Sequence, residues 1–212
     1  MKRTVCILVL ILCMGGIVVF ANEENGAADI LQRMGLDLRG SVQQAAGQLQ
    51  TEDGTTVPLF SESESAGTVL GEEVPTALVE IKAVMYAYGG SETPLKDAWE
   101  ATKQEVFERR FAMEKGIYPT EQEIDAFTRE MREAVESSQA GIDFQNTLLD
   151  AVGMDVDEYW NVYKPQIESP VHLTKIKIAQ YCEEHDLDWQ EILEQADISG
   201  EITNRSLLEK YE

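Results

Sequence analysis

The feature that most constrains the fold is a succession of helix start and stop signals that begins near residue 71 and continues along the chain. Thr93 can cap a helix whose first position is Pro94, and Gly116 can stop it. Thr120 and Glu123 form a capping box, in which both side chains satisfy backbone N–H groups at a helix start. No stretch alternates apolar and polar residues as a half-buried strand does. The pattern predicts an all-α fold, a small irregular helical bundle with almost no sheet.

The signals predict a series of helices of moderate length, and the third of them carries the clearest apolar stripe. Pro165 removes a backbone donor within the fifth, so a kink or a break is expected there. The predicted helices cover approximately residues 76–88, 93–116, 120–135, 143–153, 155–165, 169–182, 188–195 and 204–211.

The first 21 residues are typical of an export segment. Lys2 and Arg3 precede an uncharged apolar run over residues 5–20, and Ala21 is suitable as the last residue before signal-peptidase cleavage. The run is also almost long enough to span a bilayer, which takes about 17–25 residues. A cleaved signal peptide and a retained N-terminal anchor both fit. Either one predicts an extracytoplasmic protein, secreted or tethered to the outer face of the cytoplasmic membrane.

The charge of the chain restricts its partners. The whole sequence has a formal net charge of −22, and residues 22–212 hold 15 basic and 39 acidic residues. Nucleic acid is disfavoured as a partner because its phosphates favour lysine and arginine. An anionic membrane face is disfavoured for the same reason, so membrane contact is expected only through residues 5–21, if that segment is retained. A cationic partner or bound divalent cations are compatible with this charge but not required by it.

Catalytic and metal-binding patterns are weak in this chain. Cys182 is the only cysteine beyond residue 21, so no disulfide can form within the mature chain. Cys182 and His185 are spaced as half of a zinc site, but the mature chain has no second pair of Cys or His residues to complete it. His172 is not accompanied by the strand-turn-helix signature of a nucleophilic serine. The sequence therefore predicts a protein that is not an enzyme, with no cofactor and no metal site.

Composition divides the chain behind residue 21 into three parts. Residues 22–68 read as a weakly structured acidic linker, with a helix considered over 27–49 that Gly35 and Gly40 weaken. Residues 69–185 contain the sharpest helix signals. Residues 186–212 form a short helical tail with apolar side chains that need a surface to bury against, either on this chain or on another copy.

Three passages in order resemble the N-terminal chaperone domain of exported foldases of the SurA and PrsA type. They are VLGEEVP at 69–75, the long helix that ends in Gly116-Ile117 and is followed by the capping box, and the passage from Phe144 to Trp160. The resemblance covers about residues 69–185. Members of that family usually continue into a parvulin-type prolyl isomerase domain of roughly one hundred residues. Only 27 residues follow His185 here, so no isomerase activity is implied.

The resemblance implies a domain that binds unfolded or extended segments of exported proteins. Such binding requires exposed apolar or aromatic surface on a soluble frame. The alternative use of the same aromatic side chains is to fill the core of the bundle. A second hypothesis is a non-catalytic adaptor or structural protein of the cell envelope, or of spore assembly, that uses this fold for one fixed partner. The candidate client-binding residues are Trp99, Phe111, Tyr159, Trp160 and Tyr163.

Overall fold

The computed structural model describes residues 24–47 and 65–211. The predicted export segment, residues 1–21, lies outside the described residues. The elements in chain order are α1 (Glu24–Gly47), β1 (Ser65–Val69), β2 (Glu72–Pro75), α2 (Thr76–Tyr88), α3 (Pro94–Glu114), α4 (Glu121–Glu136), α5 (Gln139–Val152), α6 (Val156–Glu158), a π-helix (Tyr159–Glu168), α7 (Ser169–Glu184), α8 (Trp189–Gln195), β3 (Gly200–Ile202) and α9 (Arg205–Tyr211).

Helices dominate the structure, as the start and stop signals predicted. The predicted helix over 76–88 is present with those bounds, and the capping box at α4 is formed: the Thr120 hydroxyl accepts from Glu123 N–H while the Glu123 carboxylate accepts from Thr120 N–H. Helix α5 begins at Gln139, four residues before the predicted start near Asp143, because Ser138 caps it by accepting from the N–H of Gly141. The fold class is all-α, a helical bundle with one small sheet.

The sheet has three short antiparallel strands in the order β2-β1-β3. It joins segments far apart in the chain, since Val69 on β1 pairs with Gly200 on β3. The strands approach very closely at Gly67, where a Cβ atom would lie 2.0 Å from the carbonyl oxygen of Glu201. Any side chain at residue 67 would therefore separate β1 from β3.

Helix α1 confirms the helix that was considered over 27–49, but it belongs to the main core and not to a weakly structured linker. Its buried face, which includes Met34, Leu38 and Val42, packs against α2 and α5. The Arg39 guanidinium also donates to the carbonyl of Ala151 at 2.9 Å. The apolar stripe within an otherwise polar segment explains why this part folds, because its burial removes large aliphatic side chains from water. Residues 48–64 lie outside the described residues.

Pro165 neither breaks nor ends the helical run in which it lies. The π-helix continues directly from α6 into α7 with Pro165 inside it. A π-helix bonds each N–H to the carbonyl five residues earlier, and its wider turn accommodates the ring at a place where an α-helix would clash. The π-helix directs Tyr163 and Lys164 into the interior, where they are 1% and 3% exposed.

The C-terminal segment packs onto the same chain. Strand β3 completes the sheet, and Leu207 of α9 is buried in a cluster with Val69 and Trp99. Helix α8 covers another cluster, in which Trp189 and Ile192 contact the core around Ile178. Leu207, Trp189 and Ile192 are thus covered within the molecule, whereas Leu187 and Leu208 are 43% and 36% exposed.

Candidate binding cleft

The aromatic residues predicted to bind clients lie mostly inside the protein. Trp160 and Tyr163 are 4% and 1% exposed, and Trp99 and Tyr159 are also buried. The Trp160 indole donates to the Gln145 side chain at 2.7 Å, and the Tyr159 hydroxyl donates to Glu168 at 3.1 Å. The structure thus corrects the expectation of an exposed surface for these four residues, because the three from the π-helix belong to the main core cluster and Trp99 belongs to the cluster beside the sheet.

Phe111 is the half-buried member of the predicted set. Its ring meets Trp189 edge to face at 5.1 Å between centroids and Tyr181 at 6.0 Å. Helix α8 therefore lies over it. The five predicted residues fall into three separate clusters: Trp99 beside the sheet, Phe111 beneath α8, and the three residues of the π-helix in the main core. The structure does not bring them together into one site.

A cleft of about 160 Å³ opens between β2, α2, α3 and the junction of the π-helix with α7. Its floor is apolar and comes from each of these elements, so it depends on the whole bundle and not on one hairpin. Val171 on the first turn of α7 and Leu78 on α2 are only half-buried. The apolar side chains that line this cleft are Val74, Pro75, Leu78, Val106, Ile167, Pro170 and Val171.

Charged side chains form the walls of the cleft, and most of them are paired. Lys82 on α2 contacts Glu105 on α3 at 2.9 Å between Nζ and Oε2. Arg109 on α3 forms an ion pair with Glu72 on β2. Lys175 on α7 lies 3.8 Å from Glu105. Paired charges beside an apolar floor keep the cleft wetted while leaving its apolar atoms accessible to a ligand.

Glu108 is the most deeply buried charged residue of the cleft, at 3% exposed. Its Oε1 accepts from the Gln104 amide at 2.7 Å, and Lys175 Nζ is 4.0 Å from its Oε2. Burial raises the pKa of the Glu108 carboxyl, while Lys175 and the Gln104 hydrogen bond act in the opposite direction. The carboxylate is thus held in a place that disfavours its charge.

Thr174 lies one turn beyond Pro170 on α7 and also lines the cleft. It is 3% exposed, and its hydroxyl oxygen is buried without a hydrogen-bond partner. A threonine inside a helix usually bonds the carbonyl four residues earlier. An unpaired hydroxyl of this kind carries a desolvation cost that a ligand can remove.

A second, smaller pocket adjoins the cleft and shares Leu78, Lys82 and Glu105 with it. It ends at Glu168 and His172, where Lys164 donates to Glu168 Oε2 at 2.7 Å. Nδ1 of His172 lies 2.9 Å from the carbonyl oxygen of Glu168. Burial, and then the charge of Lys164, lower the pKa of His172. Both effects favour the neutral imidazole.

The other reactive side chains are separated from this cleft. Cys182 is buried in the cluster beneath α8, where burial raises the pKa of its thiol. His185 is exposed, and its ring stacks on Tyr181. Within the described ranges 24–47 and 65–211, no three His, Cys, Asp or Glu side chains are grouped as a metal ion requires. In the same ranges, no helix is both long and apolar enough to cross a membrane.

The sequence analysis did not identify the residues that line the cleft. Glu108 lies in the run Glu105 to Arg110, where charged residues are frequent and solvent exposure is the ordinary expectation. Val171 and Leu78 look like core positions of two amphipathic helices. A site of this kind has no local sequence signal, because the cleft is the space left between four elements that are distant in sequence.

Comparisons with protein families, with curated proteins and with solved structures gave no significant match to this chain. The resemblance to the SurA and PrsA type therefore stays a prediction from three short passages.

Proposed function

We propose that this chain is a non-catalytic, extracytoplasmic chaperone-like protein that binds unfolded or extended segments of exported proteins in the cleft. The observation that carries the proposal is an accessible apolar floor bounded by ion-paired walls on a highly acidic helical frame. The three passages that resemble the SurA and PrsA chaperone domain support the same class of function.

The dimensions of the cleft suit part of an extended chain. A volume of about 160 Å³ accommodates one or two side chains of a ligand and not a folded domain. Aliphatic side chains such as Leu78 and Val171 accept many apolar partners of similar size, and this tolerance is required of a chaperone. The charged groups of Lys82 and Glu105 stand where a peptide backbone could hydrogen-bond to them.

The test is suppression of aggregation by the whole chain, with two unrelated unfolded clients. Val171→Asp places a charge on the cleft floor, and Ile176→Asp places the same charge on the exposed face of the same helix. We expect the wild type and the Ile176 variant to slow aggregation of both clients, and the Val171 variant to lose that effect while its helicity is retained.

The result that overturns the proposal is a folded, monodisperse wild-type protein that protects neither client. Saturable binding to a single folded envelope protein would then favour the adaptor hypothesis. Equal loss of protection in the Val171 and Ile176 variants would place client binding outside the cleft.

A further inference from the structure

We propose that the inner wall of the cleft binds the side chain of a lysine in the client segment, with its ammonium group between Glu108 and Thr174. The inference rests on the proposed function and adds a preference to it. The cleft would select apolar segments that contain a lysine over segments that are apolar throughout.

Among the charged side chains that line the cleft, Glu108 differs from the others in being buried without a close cation. The Lys82 ammonium lies 2.9 Å from Glu105, and Arg109 is paired with Glu72. Glu73 is exposed to solvent, where water screens its charge. Glu108, by contrast, is buried, and the cation nearest to its Oε2 is Lys175 at 4.0 Å. The described part of the cleft therefore contains a buried carboxylate with an incomplete set of partners.

Lys175 is only a loose partner of the Glu108 carboxylate. Its side chain is 40% exposed, and its nitrogen is as close to Glu105, at 3.8 Å, as it is to Glu108. A long, exposed lysine can turn into solvent at little cost, because it loses few contacts when it does so. An incoming ammonium can therefore replace it beside Glu108 without breaking a buried ion pair.

Thr174 provides the second, independent observation. Its hydroxyl is buried, lines the cleft and has no hydrogen-bond partner in the described structure. A hydroxyl oxygen accepts from an ammonium group, and an ammonium has three protons to donate. Glu108 and Thr174 line the same cleft, so we place one ammonium group between them, where it would donate to both as a ligand with a single donor cannot.

The chemistry of lysine matches the rest of the cleft. Its four-carbon stem can lie on the aliphatic floor formed by Val106 and Val171, while its charge reaches the polar wall. The large negative charge of residues 22–212 also draws cationic segments towards the protein. That general attraction does not depend on any one carboxylate, whereas the proposed contact does.

The experiment measures binding of two extended peptides to the whole chain. The peptides are identical apolar sequences with a central lysine or a central norleucine, which keeps the stem and removes the ammonium. We expect the lysine peptide to bind wild type about tenfold more tightly, as one buried hydrogen bond to a charged group would provide. Glu108→Gln should bring the two peptides to equal affinity, and Thr174→Val should reduce the preference for the lysine peptide.

Glu114→Gln is the matched control, since Glu114 is on the same helix with its side chain 74% exposed. It removes the same charge and should leave the ratio intact. A ratio that falls equally in the Glu108 and Glu114 variants would show only general attraction and overturn the inference. Equal binding of both peptides to wild type would overturn it while leaving the proposed function standing, and binding of neither would overturn both.

Each variant must be shown to be folded by its helicity and unfolding transition. If Glu108→Gln does not fold, Thr174→Val decides the matter, because it keeps the shape of the side chain and removes only the hydroxyl. An unchanged preference in a folded Thr174 variant would then count against the inference.

Discussion

A Cβ atom added to Gly35 on α1 would lie 2.4 Å from the Cβ of Ala151 on α5. The two helices therefore cross with their backbones almost in contact, and this is possible only because residue 35 has no side chain. Glycine has a low helix propensity, so Gly35 by itself destabilises α1. As a packing residue, it is the reason that α1 can join the core.

Gly35→Ala should consequently destabilise the protein, by about 1–3 kcal/mol, because the added methyl group forces the two helices apart. Gly40→Ala is the matched control: a Cβ there meets nothing within 4 Å. The control should gain roughly 0.5–1 kcal/mol from better helix propensity. Denaturant unfolding of both variants measures the two changes, and the same sign for both would contradict close packing of α1 on α5.

The buried ion pair of the π-helix gives a second prediction. Lys164 Nζ lies 2.7 Å from Glu168 Oε2, and both side chains are at most 5% exposed. Lys164→Met leaves the Glu168 carboxylate buried without its cation, which should cost about 3–5 kcal/mol. The double variant Lys164→Met, Glu168→Gln should lose much less, because the neutral amide needs no counter-ion and its oxygen can still accept from Tyr159. Chemical denaturation measures both losses, and a double variant as unstable as Lys164→Met alone would contradict the coupling.

The burial of His172 should make the free energy of unfolding fall at acidic pH. Its pKa is lowered in the folded protein by burial and by Lys164, against a smaller opposing effect of Glu168. The unfolded chain therefore takes up a proton first, near pH 6.5, and stability falls as the pH drops from about 6.5 through the folded pKa. His172→Gln should flatten this slope in denaturation measured across that range, with His185→Gln as the control for loss of a histidine. An unchanged slope in the His172 variant would assign the acid sensitivity to other groups.

Glu108 should cost the protein stability at neutral pH. Its raised pKa means that the folded state favours the neutral carboxyl, so its contribution to stability is present at low pH and is lost as the pH rises through the folded pKa. Glu108→Gln keeps the oxygen that accepts from Gln104 and removes the charge. We expect its melting temperature to exceed that of wild type at pH 7, and the gain to shrink towards the ordinary pKa of glutamate. A variant less stable than wild type at pH 7 would mean that the ion pair with Lys175 outweighs the cost of burial.

The helices were predictable because their ends are local. The start of α4 is determined by contacts within four residues of Thr120, and α2 ends where Gly89 follows Tyr88. Such signals depend little on the rest of the chain. The helix bounds therefore follow from the sequence with errors of a few residues, as at the start of α5.

The sheet and the cleft were not predictable because they depend on distant parts of the chain. Strand β1 gains its second partner, β3, only through residues that follow α8. The aromatic residues of the π-helix looked equally suited to a surface and to a core, and the structure places them in one core cluster with apolar residues of α1, α2 and α5. Glu108 is buried where α7 packs against α3. The sequence of α3 alone does not indicate which of its charged residues will be buried there.

The pairing of β3 with β1 also sets the order in which the sheet can form, because the chain is synthesised from its N-terminus. Strand β1 can pair with β2 as soon as residue 75 has emerged, but its other edge must wait for Gly200 to Ile202. An open strand edge is a template for pairing with other chains. Pairing with Gly200 to Ile202 therefore closes the second edge of β1. A chain that ends before Gly200 leaves this edge open for pairing with another chain.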